Sequence, residues 1–188
     1  MLNNVAGLLG GGAAAVVAGD YDSIATTTVG SGGTSTITFS SIPSTYKHLQ
    51  IRMTSRGTTS SGFGIDIRFN NDSGGNYGPS HYLEGTGTAA ISGKAISGTP
   101  TLIEIYSQPN SGNTASVFGG YVMDVLDYAN TNKYKTLRGL GGFDANGSGL
   151  IDLDSGLWLS TSAINRIDIT CVATAFTEYS SFALYGIN

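Results

Sequence analysis

The stretch Tyr46-Lys47-His48-Leu49-Gln50-Ile51-Arg52-Met53-Thr54-Ser55-Arg56 decides the fold class. Leu49, Ile51 and Met53 alternate with Gln50, Arg52 and Thr54, and a period of two belongs to a strand with one buried face. After the turn residues Gly57 to Gly62 the pattern restarts. Phe63, Ile65, Ile67 and Phe69 fall on one side, with Asp66 and Arg68 on the other. The two runs read as neighbouring strands, each covering one side of a core.

The same alternation extends in both directions. Towards the N-terminus, Ile24 to Val29 is Thr-rich and extended, and Thr34 to Phe39 places Ile37 and Phe39 in phase. Towards the C-terminus, Thr101 to Ser107 has Ile103 and Ile105 on one face, and Ser116 to Tyr128 has Val117, Tyr121, Met123 and Val125 in phase. Tyr134 to Leu140, Ile164 to Val172 and Ser181 to Ile187 continue the series. Leu150 to Leu159 reads as a strand or an irregular edge, and Gly85 to Gly98 as an exposed stretch of weak periodicity. No amphipathic helix of useful length is present. Eight or nine short strands separated by Gly, Asn, Asp and Ser turns predict an all-β, antiparallel β-sandwich of jelly-roll-like type over residues 23–188.

Residues 1–22 form a separate arm. Val5 to Gly19 is apolar, Gly/Ala-rich and uncharged. It is too short for the ~20 apolar residues that span a bilayer, no Lys or Arg precedes it as in a signal peptide, and its glycines make a poor helix. A chain of this composition gains order by docking, with a neighbouring subunit as the expected dock and packing against its own domain as the alternative. Val5, Leu8, Leu9, Val16 and Val17 are the expected assembly contacts.

Composition narrows the function classes. Nine Lys plus Arg stand against thirteen Asp plus Glu, for a net charge of −4 and 12% charged residues, about half the usual ~25%. Such a surface gives no electrostatic reason to bind nucleic acid or an anionic membrane. The single cysteine, Cys171, forms no internal disulfide and reads as a buried hydrophobe within Ile167 to Val172.

Candidate chemistry is sparse. His48 lies opposite Leu49 on the outward face, and His81 follows Pro79-Ser80. No serine sits in a Gly-x-Ser-x-Gly elbow. The closest carboxylate pairs are Asp124 with Asp127 and Asp152 with Asp154; the latter two share one strand face. Asp144-Ala145-Asn146-Gly147-Ser148-Gly149 begins like a calcium loop, but its glycine comes early and Ser155 occupies the twelfth position. A turn in which Asp and Asn side chains hold backbone N–H groups is the plainer reading there, and for Asn71-Asp72-Ser73. The expectation is therefore no catalytic residue, no cofactor and no metal. Ten tyrosines and one tryptophan remain. Tyr77, Tyr82, Tyr106, Tyr134 and Trp158, with His81, are the candidate contacts for a glycan or a protein partner.

Four segments in order carry a family resemblance. Thr36 to Ser41 followed by Ile42-Pro43-Ser44-Thr45-Tyr46-Lys47-His48-Leu49-Gln50-Ile51-Arg52 looks like a recurrent segment of tailed-bacteriophage virion proteins. Arg68-Phe69-Asn70-Asn71-Asp72-Ser73-Gly74-Gly75-Asn76-Tyr77, Gly156 to Ile167 and Phe182-Ala183-Leu184-Tyr185-Gly186-Ile187 match in the same order, with Asp127 to Lys133 resembling the family's strand-turn between them. The resemblance spans Ser23 to Asn188. It implies a non-catalytic virion structural protein, of tail-fibre or appendage type, located in the phage particle. By the same resemblance, it assembles as a homotrimer with other virion proteins. Two alternatives stand beside it: a capsid decoration or cement protein, and a module that adsorbs to host-surface glycans.

Overall fold

The computed structural model describes residues 20–61, 64–95, 98–106 and 108–188. Among them are twelve strands and no helix: β1 (Tyr21–Thr28), β2 (Thr36–Phe39), β3 (His48–Ser55), β4 (Gly64–Phe69), β5 (His81–Gly85), β6 (Ala90–Lys94), β7 (Ile103–Tyr106), β8 (Gly119–Leu126), β9 (Lys135–Asp144), β10 (Gly149–Trp158), β11 (Ile167–Cys171) and β12 (Ser181–Ile187). They form two sheets. One has eight strands in the order β1-β12-β3-β8-β9-β10-β5-β6, the other four in the order β2-β11-β4-β7. Every neighbouring pair is antiparallel. The fold is thus all-β and sandwich-like, as the alternation predicts.

The core lies between the four-stranded sheet and one half of the larger sheet. From the larger sheet, Leu49, Ile51 and Met53 of β3, Tyr121, Met123 and Val125 of β8, and Phe182 and Leu184 of β12 point inward. Ile37 and Phe39, Ile65, Ile67 and Phe69, Ile103 and Ile105, and Ile167, Ile169 and Cys171 meet them from the other sheet. Each is a period-two set, so a one-residue slip would turn a whole set to solvent. Two polar anchors fix the loops at the sheet ends. The buried Arg56 donates to the carbonyls of Asn113, Thr114 and Val117. The buried Lys135 ammonium donates to those of Asn130, Lys133 and Thr161.

Three expectations change. The runs around Ile51 and Ile67 are not neighbours in one sheet: β3 and β4 lie in opposite sheets and face each other across the core. A strand with one apolar face satisfies its burial equally by pairing sideways or by stacking, so alternation alone does not choose. The described residues form twelve strands instead of eight or nine, partly because Gly85 to Gly98 contains β6, an edge strand whose side chains are almost all exposed. Leu150 to Leu159 is no irregular edge either, since β10 is an interior strand paired with β9 over ten residues and with β5 over five.

Candidate functional site

β9, β10, β5 and β6 extend the large sheet beyond β8. To the hydrophobic core they add only Leu137 and Trp158. Within this extension the usual polarity is reversed. Asp152 is 0% exposed and Asp154 5%, whereas Ile151 is 60% exposed and Leu153 50%. Alternation is intact; its direction is inverted.

On the inner face, Asp152 lies opposite Glu84 of β5 and Gly141 of β9, and Asp154 opposite Tyr82 and Gly139. The Tyr121 ring crosses β9 over Gly139 and Gly141, and a Cβ on either glycine would be driven into that ring. Glycine is therefore needed at these two positions for close approach. Having crossed β9, Tyr121 donates its hydroxyl proton to the Asp154 carboxylate. Burial raises the pKa of Asp154 well above the ordinary carboxylate value. The hydrogen bond from Tyr121 offsets part of this, and the negative neighbours Asp152 and Glu84 add to it. Burial likewise pushes the Tyr121 phenol upward, reinforced by Asp154, and Glu84 upward, reinforced by Asp152. Two buried carboxyls this close do not both ionise readily, so the arrangement retains a proton through neutral pH.

On the outer face, register aligns Arg52, Val122, Leu140, Leu153 and Leu83 in one row across β3, β8, β9, β10 and β5. Ile151 stands beside Leu153 on the same side. Val122, Leu140, Leu153, Leu83 and Ile151 are all exposed and carry no charge. An open groove of 470 Å³ runs across Thr26, Ala183, Arg52, Gly120 and Val122, and a smaller one of 240 Å³ lies among Leu83, Leu140, Ile151 and Leu153. Next to the row, the Arg52 guanidinium sits between the rings of Tyr21 and Tyr185, 5.0 and 4.8 Å from their centroids. Single exposed aliphatics are unremarkable on a soluble protein, but a contiguous group of five on one sheet face marks an interaction surface.

The aromatic candidates separate. Tyr77 and Trp158, expected at the surface, belong to the core at 2% exposure each. Trp158 shares the inward phase of Asp152, Asp154 and Gly156, and its indole N–H donates to Asp72 Oδ2 at 2.7 Å. Tyr77 stacks on it, and its hydroxyl accepts from the backbone N–H of Phe69 at 3.0 Å. With polar ends satisfied internally, both rings bury their apolar bodies. Tyr82 and Tyr106 come together, ring centroids 5.8 Å apart. His81 is exposed at the start of β5, and Tyr134 is exposed just before β9. The six candidates therefore do not make one platform. Val5, Leu8, Leu9, Val16 and Val17 lie outside the described residues.

The remaining polar candidates are held by neighbours. Asp124 accepts from Gln50 at 2.9 Å, and Asp127 pairs with Lys133 at 2.7 Å. His48 is half-buried, its Nδ1 accepting the backbone N–H of Asp127 at 2.9 Å. Asp72 accepts from Trp158, Gly74 and Asn76. Asp144 accepts the N–H of Asn146, with Gly147 at positive φ, which is the turn expected there. Among the described residues no group of three or more His, Cys, Asp and Glu side chains is arranged to hold a metal ion. Cys171 is buried, with the Gln108 amide donating to its sulfur at 3.0 Å.

The inverted strand escaped the sequence reading, although its signal, Ile151-Asp152-Leu153-Asp154, was in plain view. No protein-family model, curated protein or solved structure matches the chain.

Proposed function

We propose that this protein is a non-catalytic structural subunit of a bacteriophage particle, a tail-associated fibre or appendage component that works by packing against other subunits. The observation that carries the structural role is the inside-out extension, which turns Leu83, Leu140, Ile151 and Leu153 outward beside Val122 of β8 and encloses carboxylates beneath them. A protein that functions alone gains nothing from that arrangement; a subunit buries the aliphatics on assembly. The assignment to a phage particle rests on the ordered resemblance of the four segments between Thr36 and Ile187.

The strand order supports the jelly-roll reading of the fold. β1-β12-β3-β8 opposite β2-β11-β4-β7 is the arrangement of two interleaved Greek keys. In this reading the β5–β6 and β9–β10 hairpins are insertions that widen one sheet, and the outward aliphatic face is built mainly on them.

Immunogold electron microscopy of intact particles, with antibody raised against the full chain, tests the role. Label at the tail or its distal appendages is the expected result. Label over the head moves the protein to the capsid-decoration role, and particles without label remove the virion assignment. The glycan-binding alternative loses Tyr77 and Trp158 to the core and keeps His81, Tyr82, Tyr106 and Tyr134.

A further inference from the structure

We infer that the outer aliphatic face of β8, β9, β10 and β5 is the receptor surface for the N-terminal arm of a second copy of this chain, the Val5 to Val17 stretch lying across Val122, Leu140, Leu153, Leu83 and Ile151. The inference rests on the assembly role proposed above and gives it a partner and a place.

Chemistry matches the two surfaces. The five outward side chains are all aliphatic, and residues 1–19 contain no charged side chain while carrying Val5, Leu8, Leu9, Val16 and Val17. Apolar association is non-directional and scales with the area removed from water, so a neutral aliphatic strip suits a neutral aliphatic face. Glycines 10–12 let the arm's backbone come close to the sheet wherever it crosses Gly120 or the Gly85 end of β5. A charged or polar partner would leave its own groups desolvated against this face.

Chain geometry favours a second copy over the arm's own sheet. The described chain begins at Asp20, and β1 forms an outer edge of the eight-stranded sheet. Register places Val122 in line with Arg52, Ala183 and Thr26, five residues along from Tyr21 and three strands across. At ~3.4 Å per residue and ~4.8 Å per strand, that separation is about 22 Å. Val17 is four residues before Tyr21 and reaches about 14 Å at most. On its own sheet, Val5, Leu8 and Leu9 could meet the aliphatic face, whereas Val16 and Val17 fall short of it. From a neighbouring copy, the whole apolar stretch can.

A complementation experiment on the full chain decides it. One variant, Leu8→Asp with Leu9→Asp, has a disabled arm and an intact face; the other, Leu140→Asp with Leu153→Asp, has an intact arm and a disabled face. Circular dichroism establishes that both are folded, and Ile151→Lys, at the most exposed position, replaces the second variant if it is not. Size-exclusion chromatography with light scattering then reads the mass of each alone and of the mixture. Each variant alone is expected to self-associate more than about ten-fold more weakly than the parent, and the mixture to form a one-to-one complex through the single intact arm–face pair. An arm variant that still self-associates like the parent overturns the inference in favour of face-to-face pairing. Two monomers that do not combine on mixing overturn it in favour of an arm bound to its own sheet, as does a parent chain that is monomeric throughout. Complementation together with unlabelled particles retains the inference and sinks the virion role; the reverse pair of results does the opposite.

Discussion

β3 and β10 carry the same kind of alternation and point it in opposite directions. In β3, Leu49, Ile51 and Met53 are buried and Arg52 and Thr54 exposed; in β10, Asp152 and Asp154 are buried and Ile151 and Leu153 exposed. The difference is what lies opposite. β3 faces the Ile and Phe side chains of the four-stranded sheet, whereas β10 has a tyrosine lying over two glycines on its inner side. A strand's period reports that its faces differ. Which face meets protein and which meets solvent is decided by the elements stacked on it, and for a subunit by its neighbours.

The largest expected effect lies in the covered half. Ile67 is fully buried between the sheets, so Ile67→Ala should cost roughly 2–5 kcal/mol through lost transfer energy and the cavity left behind. Urea denaturation measures it. A cost below 1 kcal/mol would mean that the two sheets are not packed face to face as described.

Next comes the glycine pair that lets Tyr121 cross β9. Gly141→Ala should cost about 1–3 kcal/mol, because the new methyl group must displace a buried ring. Removing the ring tests the cause: in a Tyr121→Ala background the same substitution should cost markedly less. Equal costs in both backgrounds would place the strain in the backbone instead.

The buried acids give the extension its own pH signature. Asp154 has its pKa raised from 3.8 to about 8, chiefly by burial. Below 3.8 the proton is bound in both folded and unfolded chains. Between the two values the unfolded chain releases it and the folded chain keeps it, so stability is full at the acid end and declines as pH rises through neutral. Asp66, raised to about 6 mainly by burial and secondarily by Glu104, acts with the same sign and finishes earlier. Asp168 and Asp72, held low by their hydrogen-bond partners, lose stability only as pH falls below 3.8. The thermal midpoint should therefore be higher at pH 5 than at pH 8. Asp154→Asn, which imitates the protonated carboxyl, should flatten the decline. A midpoint that rises from pH 5 to pH 8, or a slope indifferent to the substitution, would contradict this account.

The covered half was legible because burial there follows the most hydrophobic phase of each strand. Ile37, Leu49, Ile51, Ile65, Ile67, Ile103 and Met123 could be placed from spacing alone. The pairing of β3 with β12 and β8 rather than β4 was not, since register between distant strands leaves no local trace. In the extension the same rule misleads. Trp158 is adjacent to Leu157 and Leu159, and only the inward phase set by Asp152, Asp154 and Gly156 assigns it to the core. A rule that sends aspartates outward reads that phase backwards.

The smallest effect on folding makes the sharpest contrast with Ile67. Leu153 is half exposed, so Leu153→Ser removes little that folding had buried and should change the stability of the dilute protein by less than about 1 kcal/mol. The same substitution should weaken self-association, because the side chain is buried only when a partner covers it. Ile67→Ala has the opposite profile: unfolding is strongly affected, while the face presented to a partner is unchanged. Measuring denaturation and oligomer mass for both variants separates residues that hold the subunit together from residues that hold subunits to one another. If Leu153→Ser instead unfolds the protein as Ile67→Ala does, the aliphatic face belongs to the fold and not to an interface, and the two halves of the sheet are alike after all.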